Sequence, residues 1–127
     1  MVFLNQLELL VIQILNQPQT IVKAYKYLTN NNVYVLSKQL LRSGTSIGAN
    51  CREAVYAQSK QDFISKLSIA LKETNESIYW LELLHDTELI TDESFNSIHA
   101  DGLEILKLLI SIIKTLKSNA RDENINC

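Results

Sequence analysis

Apolar residues recur at intervals of three or four along most of this chain of 127 residues. Because an α-helix turns once about every 3.6 residues, this spacing puts apolar side chains on one helix face. With three glycines and one proline, the chain also lacks the turn residues that a fold of many short strands needs. The pattern therefore predicts an all-α fold. The most regular row is strictly heptad and runs through Phe95, Ile98, Gly102, Ile105, Leu109, Ile112 and Leu116.

Four segments with this spacing predict four helices, which cover about residues 3–28, 33–57, 60–86 and 92–118. A chain of this length forms one core, so we expect one domain over residues 1–118, an antiparallel up-down-up-down four-helix bundle. The polar residues 119–127 are expected to fray.

Helix starts and breaks are marked by a few residues. Ser59 followed three residues later by Asp62 resembles a capping pair for the third helix, and Thr91 is placed to cap the fourth. Pro18 interrupts the first helix, where it removes a hydrogen bond. We favour one helix kinked at Pro18 over the alternative of two helices with a break at residues 16–18.

The segment LRSGTSIGANCRE, residues 41–53, contains two glycines four residues apart. A phosphate-binding loop of the Walker type needs lysine and a hydroxyl directly after its second glycine, and Ala49 and Asn50 stand there instead. The segment is therefore predicted to be a helix interior. Glycine costs about 1 kcal/mol there relative to alanine, which favours close approach of a neighbouring backbone over a local distortion. The residues expected to pack closely or support assembly are Gly44, Ile47, Gly48, Asn50 and Glu53.

A second apolar row lies beside the heptad row of the fourth helix. It consists of Leu103, Leu106, Ile110 and Ile113. One bundle core does not need so wide an apolar surface, so this helix is expected to pack against another subunit as well.

The formal net charge of −2 gives no overall attraction to nucleic acid or to anionic lipid. A local basic patch on the first hairpin remains an alternative, formed by Lys23, Lys26, Lys38 and Arg42. A solvated face is favoured over a nucleic-acid site for these residues, so a nucleic-acid partner is disfavoured. Polar residues interrupt the apolar start of the chain, so neither a signal peptide nor a membrane span is predicted. The two cysteines form no metal or disulfide motif, which fits the cytoplasm.

No catalytic, cofactor or metal site is predicted. Glu82 and His85 form the E-x-x-H pattern of di-iron bundles, but those sites need a second copy, and His99 has Asn96 three residues before it. Cys51 lies on an apolar face, where a buried hydrophobic role is favoured over that of a nucleophile.

Several stretches resemble the bacterial "four helix bundle protein" family, whose first members are products of intervening sequences in 23S ribosomal RNA genes. They are VLSKQLLRSGTSIGANCREA, AQSKQDFISKLSIALKE and YWLELL. The resemblance spans about residues 21–118. It implies an antiparallel four-helix bundle that assembles into a homopentamer, with no assigned enzymatic activity.

A more distant resemblance is to the Avd accessory proteins of diversity-generating retroelements, which implies nucleic-acid binding as an alternative function.

From the sequence as a whole, we expect a non-catalytic, oligomeric interaction protein in the cytoplasm. An Avd-like nucleic-acid-binding factor is the second reading, and a carboxylate and histidine metal enzyme is the third.

Overall fold

The computed structural model describes Val22, Lys26 and residues 34–125, and this part of the chain is helical and contains no strand. Three long helices follow one another. We call them the glycine helix (Tyr34–Val55), the middle helix (Lys60–Asp86) and the last helix (Asp92–Ile125). They correspond to the second, third and fourth predicted helices. The predicted first helix lies outside the described residues, apart from Val22 and Lys26, which are both helical.

The middle helix begins where the capping pair predicted it would. Ser59 has extended backbone, and its hydroxyl accepts a hydrogen bond from the Asp62 amide at 3.0 Å. At the start of the last helix, the Ser94 amide donates to the hydroxyl of Thr91 at 3.1 Å. Both bonds satisfy backbone donors that have no partner within the first helical turn. The two predicted caps are thus confirmed.

Two helix ends differ from the sequence prediction. The glycine helix ends at Val55, because the amides of Tyr56 and Ala57 bond carbonyls only three residues back, which tightens and closes the last turn. The last helix continues to Ile125, past the predicted end at residue 118. Residues 119–125 contain neither glycine nor proline, so nothing in the sequence of this stretch breaks the helix.

The connection between the middle and last helices is tight. The amides of Thr87, Glu88 and Leu89 bond carbonyls of the last helical turn at 2.9–3.1 Å. Glu88 has a φ of 61°, a left-handed conformation that glycine usually supplies at a helix end. This turn lets the chain reverse within a few residues.

Neighbouring helices run antiparallel. Contacts between the glycine and middle helices pair Arg42 with Glu76 and Glu53 with Lys66. As residue numbers rise along the glycine helix, the numbers of their partners on the middle helix fall. The same order relates the middle and last helices, where Glu82 contacts His99 and His85 contacts Asp92.

The core is divided into two clusters. The cysteine cluster joins all three helices through nine buried residues: Ile47, Cys51, Ala54, Leu67, Ala70, Ile105, Leu109, Ile113 and Leu116. The hairpin cluster, nearer the 87–91 turn, is built on Leu40, Leu81 and Leu84. Full burial of a leucine side chain contributes about 1.5–3 kcal/mol, so these clusters hold the helices together.

Small residues lie between the two clusters on every described helix. The glycine helix contributes Ser43 and Gly44, the middle helix contributes Thr74 and Ser77, and the last helix contributes Gly102. A Cβ atom at position 102 would lie 3.2 Å from Cγ1 of Ile78, so the missing side chain lets the middle and last helices approach closely. We call these five residues the small-residue layer.

Candidate interaction site on the glycine helix

The glycine segment lies wholly within the glycine helix, as predicted. Gly44, Ile47 and Gly48 are buried, and Ile47 packs in the cysteine cluster. A helix interior has its backbone amides bonded within the helix, so this segment offers no free amides to a phosphate. Close packing of another backbone on the two glycines stays a prediction.

Asn50 bonds its own helix. Its side-chain amide donates to the Ser46 carbonyl at 2.8 Å and lies 3.0 Å from the Ser46 hydroxyl. An asparagine inside a helix competes for backbone hydrogen bonds in this way. Within the chain, Asn50 therefore does not bridge to another described helix.

Glu53 links two helices instead. Its carboxylate lies 3.1 Å from the ammonium of Lys66 on the middle helix. Along the middle helix, Lys66 stands four residues from Asp62 and Lys72 stands four residues from Glu76. In the structure, Lys66 contacts Glu53 and Glu76 bonds Arg42, both on the glycine helix. Spacing within one helix identifies candidate partners, but packing brings in competitors that spacing does not reveal.

Arg42 is the centre of a polar cluster between the glycine and middle helices. Its guanidinium bonds Glu76 and lies 3.3 Å from the Glu73 carboxylate. Glu76 also accepts a hydrogen bond from the indole of Trp80 at 3.4 Å. The hydrogen bond from Arg42 is the main cause that lowers the pKa of Glu76, and the same bond raises the pKa of Arg42.

This cluster weakens the predicted basic patch. Lys26 and Lys38 are exposed, whereas two carboxylates offset the charge of Arg42. Lys23 lies outside the described residues. Of the patch residues that the structure describes, two are exposed lysines and the third, Arg42, is paired with carboxylates, which weakens the attraction to phosphate.

A buried serine pair escaped the sequence analysis. The hydroxyls of Ser43 and Ser77 lie 2.8 Å apart, and the Ser77 hydroxyl lies 2.9 Å from the Glu73 carbonyl oxygen. Neither serine is substantially exposed, so each hydroxyl needs a partner within the protein. In the sequence, each of these serines stands at a position of its helix that faces the core, and this could have indicated the pair.

The E-x-x-H residues do not converge on one point. Glu82 lies 3.1 Å from Nε2 of His99, and His85 Nε2 lies 2.7 Å from Asp92. Among the residues that the structure describes, no group of three or more histidine, cysteine, aspartate or glutamate side chains is arranged to hold a metal ion. Cys51 is buried, and burial raises the pKa of its thiol to about 11, which disfavours the thiolate that nucleophilic catalysis needs.

The second apolar row of the last helix is only partly covered. Ile113 is buried and Leu106 is half-buried, but Leu103 remains 36% exposed and Ile110 remains 47% exposed. We call Leu103, Leu106 and Ile110 the apolar strip.

No described helix combines the length and apolar character that crossing a bilayer requires.

The fold and these contacts define an all-helical protein whose distinctive residues join helices to one another. The chain belongs to the family described as 23S rRNA-intervening sequence protein, whose model matches residues 13–111. A solved structure from the S23 ribosomal protein family of Bacteroides thetaiotaomicron, a protein with unknown function, is 59% identical to it. The similarity covers 83% of this chain and 98% of that chain, with a TM-score of 0.81. Among curated proteins, none matches the chain.

Proposed function

We propose that this protein is a non-catalytic interaction protein that assembles with copies of itself through the last helix. The observation that carries the proposal is the apolar strip, in which Leu103 and Ile110 stay exposed one heptad apart. Exposed apolar residues in a continuous row mark surfaces that bind other proteins. The strip lies on the same helix as the buried heptad row, so a partner that packs on it extends the existing core.

The chemistry of the described side chains supports a role without catalysis. The thiol of Cys51 is buried. Each histidine contacts a carboxylate of the neighbouring helix, and no described nucleophile shares those contacts. Arg42 and the two glutamates that bind it join helices, which is a structural use of their charge.

A free, buried cysteine suits a reducing compartment, so the proposal includes the cytoplasm.

The proposed assembly is a homopentamer of antiparallel up-down-up-down four-helix bundles. The number five comes from the family resemblance alone, because helix spacing does not determine the angle at which subunits close into a ring. The remaining helix of each bundle is the one that the apolar spacing predicts over about residues 3–28, which lies outside the described residues apart from Val22 and Lys26.

Native mass spectrometry of the full chain at micromolar concentration tests the proposal. We expect a homo-oligomer, and a stable monomer of 14.5 kDa would overturn it. A dimer or tetramer would keep the interface on the last helix and remove the pentamer.

A double variant, Leu103→Glu with Ile110→Glu, tests the location of the interface. We expect it to dissociate the oligomer while helix content, measured by circular dichroism, is retained. The matched control is Ser111→Glu with Ser118→Glu, which adds the same charge to exposed polar positions with the same spacing on this helix. If both double variants assemble like the parent, the apolar strip is not the interface.

A further inference from the structure

Acidic and basic residues are separated along this chain. Residues 73–106 contain no lysine or arginine, yet they hold nine of the 14 acidic residues. The nine are Glu73, Glu76, Glu82, Asp86, Glu88, Asp92, Glu93, Asp101 and Glu104. Residues 107–118, which follow directly, hold three lysines and no acidic residue. Because the last helix begins just after the turn at residues 87–91, its first acidic residues lie near the turn and its lysines lie farther along.

The three lysines accompany the apolar strip. Lys107 and Lys114 each stand four residues, about one helical turn, after an exposed apolar residue, Leu103 and Ile110 respectively. Lys117 stands seven residues after Ile110, so it continues the same row. All three lysines are exposed, and none has an ion-pair partner among the residues that the structure describes. We call them the lysine row.

The turn at the start of the last helix presents the opposite charge. Asp86, Glu88, Asp92 and Glu93 are exposed there, together with Leu89, which is 39% exposed. The Leu89 amide donates to a carbonyl of the middle helix at 2.9 Å, so the turn itself holds this leucine in place. No lysine or arginine in the described part of the chain forms an ion pair with these carboxylates. We call these five residues the acidic turn.

We propose that the acidic turn of one copy docks on the apolar strip of the next copy, a contact that rests on the proposed self-assembly and names its second surface. Leu89 supplies an apolar contact for the strip, and the carboxylates around it lie opposite the lysine row. Stable interfaces have an apolar centre and a polar rim, and opposite charges across the rim steer two surfaces together.

Contact between two apolar strips is disfavoured by charge. Lys107 lies midway between Leu103 and Ile110 in the sequence, so a two-fold axis through the strip would bring the Lys107 side chains of both copies together. Like charges at such a distance repel. A contact between the strip and the acidic turn joins two different surfaces, so each copy offers its turn to one neighbour and its strip to another. Contacts of this type close into rings, which is what the proposed homopentamer needs.

Charge reversal of the lysine row in the full chain tests one side of the contact. The lysine variant changes all three members of the row to glutamate, which places like charges on both surfaces. At low salt we expect its assembly to weaken by about tenfold or more. The matched control is Lys38→Glu with Lys60→Glu and Lys72→Glu, which makes the same change of charge at exposed positions on the other two helices and should assemble like the parent.

Charge reversal of the turn tests the other side. The turn variant carries Asp86→Lys with Glu88→Lys and Glu93→Lys, all at exposed positions, and its assembly should weaken to a similar extent. The swap variant combines the lysine and turn variants in one chain. It restores opposite charges across the contact, so it should regain most of the assembly. Circular dichroism checks that each variant keeps its helix content.

A mixture of the parent with an isotope-labelled swap variant tests which surfaces meet. A basic strip would then face a basic turn, and an acidic strip would face an acidic turn, so we expect separate oligomers. Native mass spectrometry distinguishes these from mixed oligomers by mass. A swap variant that stays dissociated, or that mixes freely with the parent, would overturn the proposed contact.

The parent alone supplies a test that does not depend on any variant folding. Salt screens charges at the rim of an interface, so its assembly should weaken as sodium chloride is added. Assembly that salt leaves unchanged or strengthens would overturn the proposed contact.

The failure of this contact and the failure of self-assembly give different results. A monomeric parent would overturn both. If the parent assembles and Leu103→Glu with Ile110→Glu dissociates it, but the lysine and turn variants assemble like the parent, the strip is still the interface and the acidic turn is not its partner.

Discussion

The hydroxyls of Ser43 and Ser77 lie 2.8 Å apart in the buried interface between the glycine and middle helices. Ser43 is fully buried, so its side chain sets how closely the two helices approach. Ser43→Leu should destabilise the fold by about 1–3 kcal/mol through overpacking. Ser43→Ala, which removes only the hydrogen bond, should cost about 1 kcal/mol. Urea unfolding of both variants checks the order, and equal losses would show that the space at this position is not restricted.

The buried position of Gly44 leads to a second prediction. Gly44→Leu should lower stability by about 1–3 kcal/mol or impair assembly, because a branched side chain must fit where a glycine is buried. Ala49→Leu is the control, since Ala49 is exposed on the same helix. Thermal melting and native mass spectrometry should separate the two variants, and a Gly44→Leu protein that behaves like the parent would mean that the glycines are not closely packed.

Acid should weaken the link between Arg42 and Glu76. The pKa of Glu76 is lowered in the folded protein, mainly by its hydrogen bond from Arg42. A carboxyl group with a lowered pKa stabilises the fold at pH values above its ordinary pKa of 4.5, and this stability is lost as the pH falls through the lowered pKa. The Arg42→Gln variant should therefore lose less stability than the parent between pH 5 and 3. Denaturant midpoints across this range measure the difference, and parallel curves would contradict the assigned cause.

Nucleic-acid binding should be weak and should disappear at physiological salt. The chain has a net charge of −2, and two carboxylates neutralise Arg42 within the predicted basic patch. Contacts to phosphate that rest on a few exposed lysines are readily screened. Titration with mixed RNA and DNA at low and moderate salt measures this, and tight, salt-resistant binding would instead favour the Avd-like function.

The sequence predicted where the helices lie more completely than it predicted which residues would contact one another between helices. The caps at Ser59 and Thr91 depend on neighbours three residues away, so the sequence alone reveals them. The pairing of Arg42 with Glu76 depends on how two helices align, and many alignments satisfy the same apolar spacing. The end of the last helix was missed for another reason, because polarity alone does not stop a helix that lacks breakers.

The candidate site shows the same division. The prediction that residues 41–53 form the interior of a helix is confirmed, and Gly44, Ile47 and Gly48 are buried there. The contacts of the two histidines with carboxylates of the neighbouring helix were not predicted, because the E-x-x-H spacing drew attention to Glu82 and His85 on one helix. In the structure, each of these two side chains contacts the last helix instead.

The small-residue layer also has a mechanical consequence. With serine, threonine and glycine at one level of the described helices, the buried apolar side chain at that level is Ile78, which belongs neither to the cysteine cluster nor to the hairpin cluster. Stability in such a structure is not uniform, since regions with fewer shared apolar contacts open more easily. The turn end, which is built on the three leucines of the hairpin cluster, is therefore expected to open more easily than the cysteine cluster, which joins all three described helices.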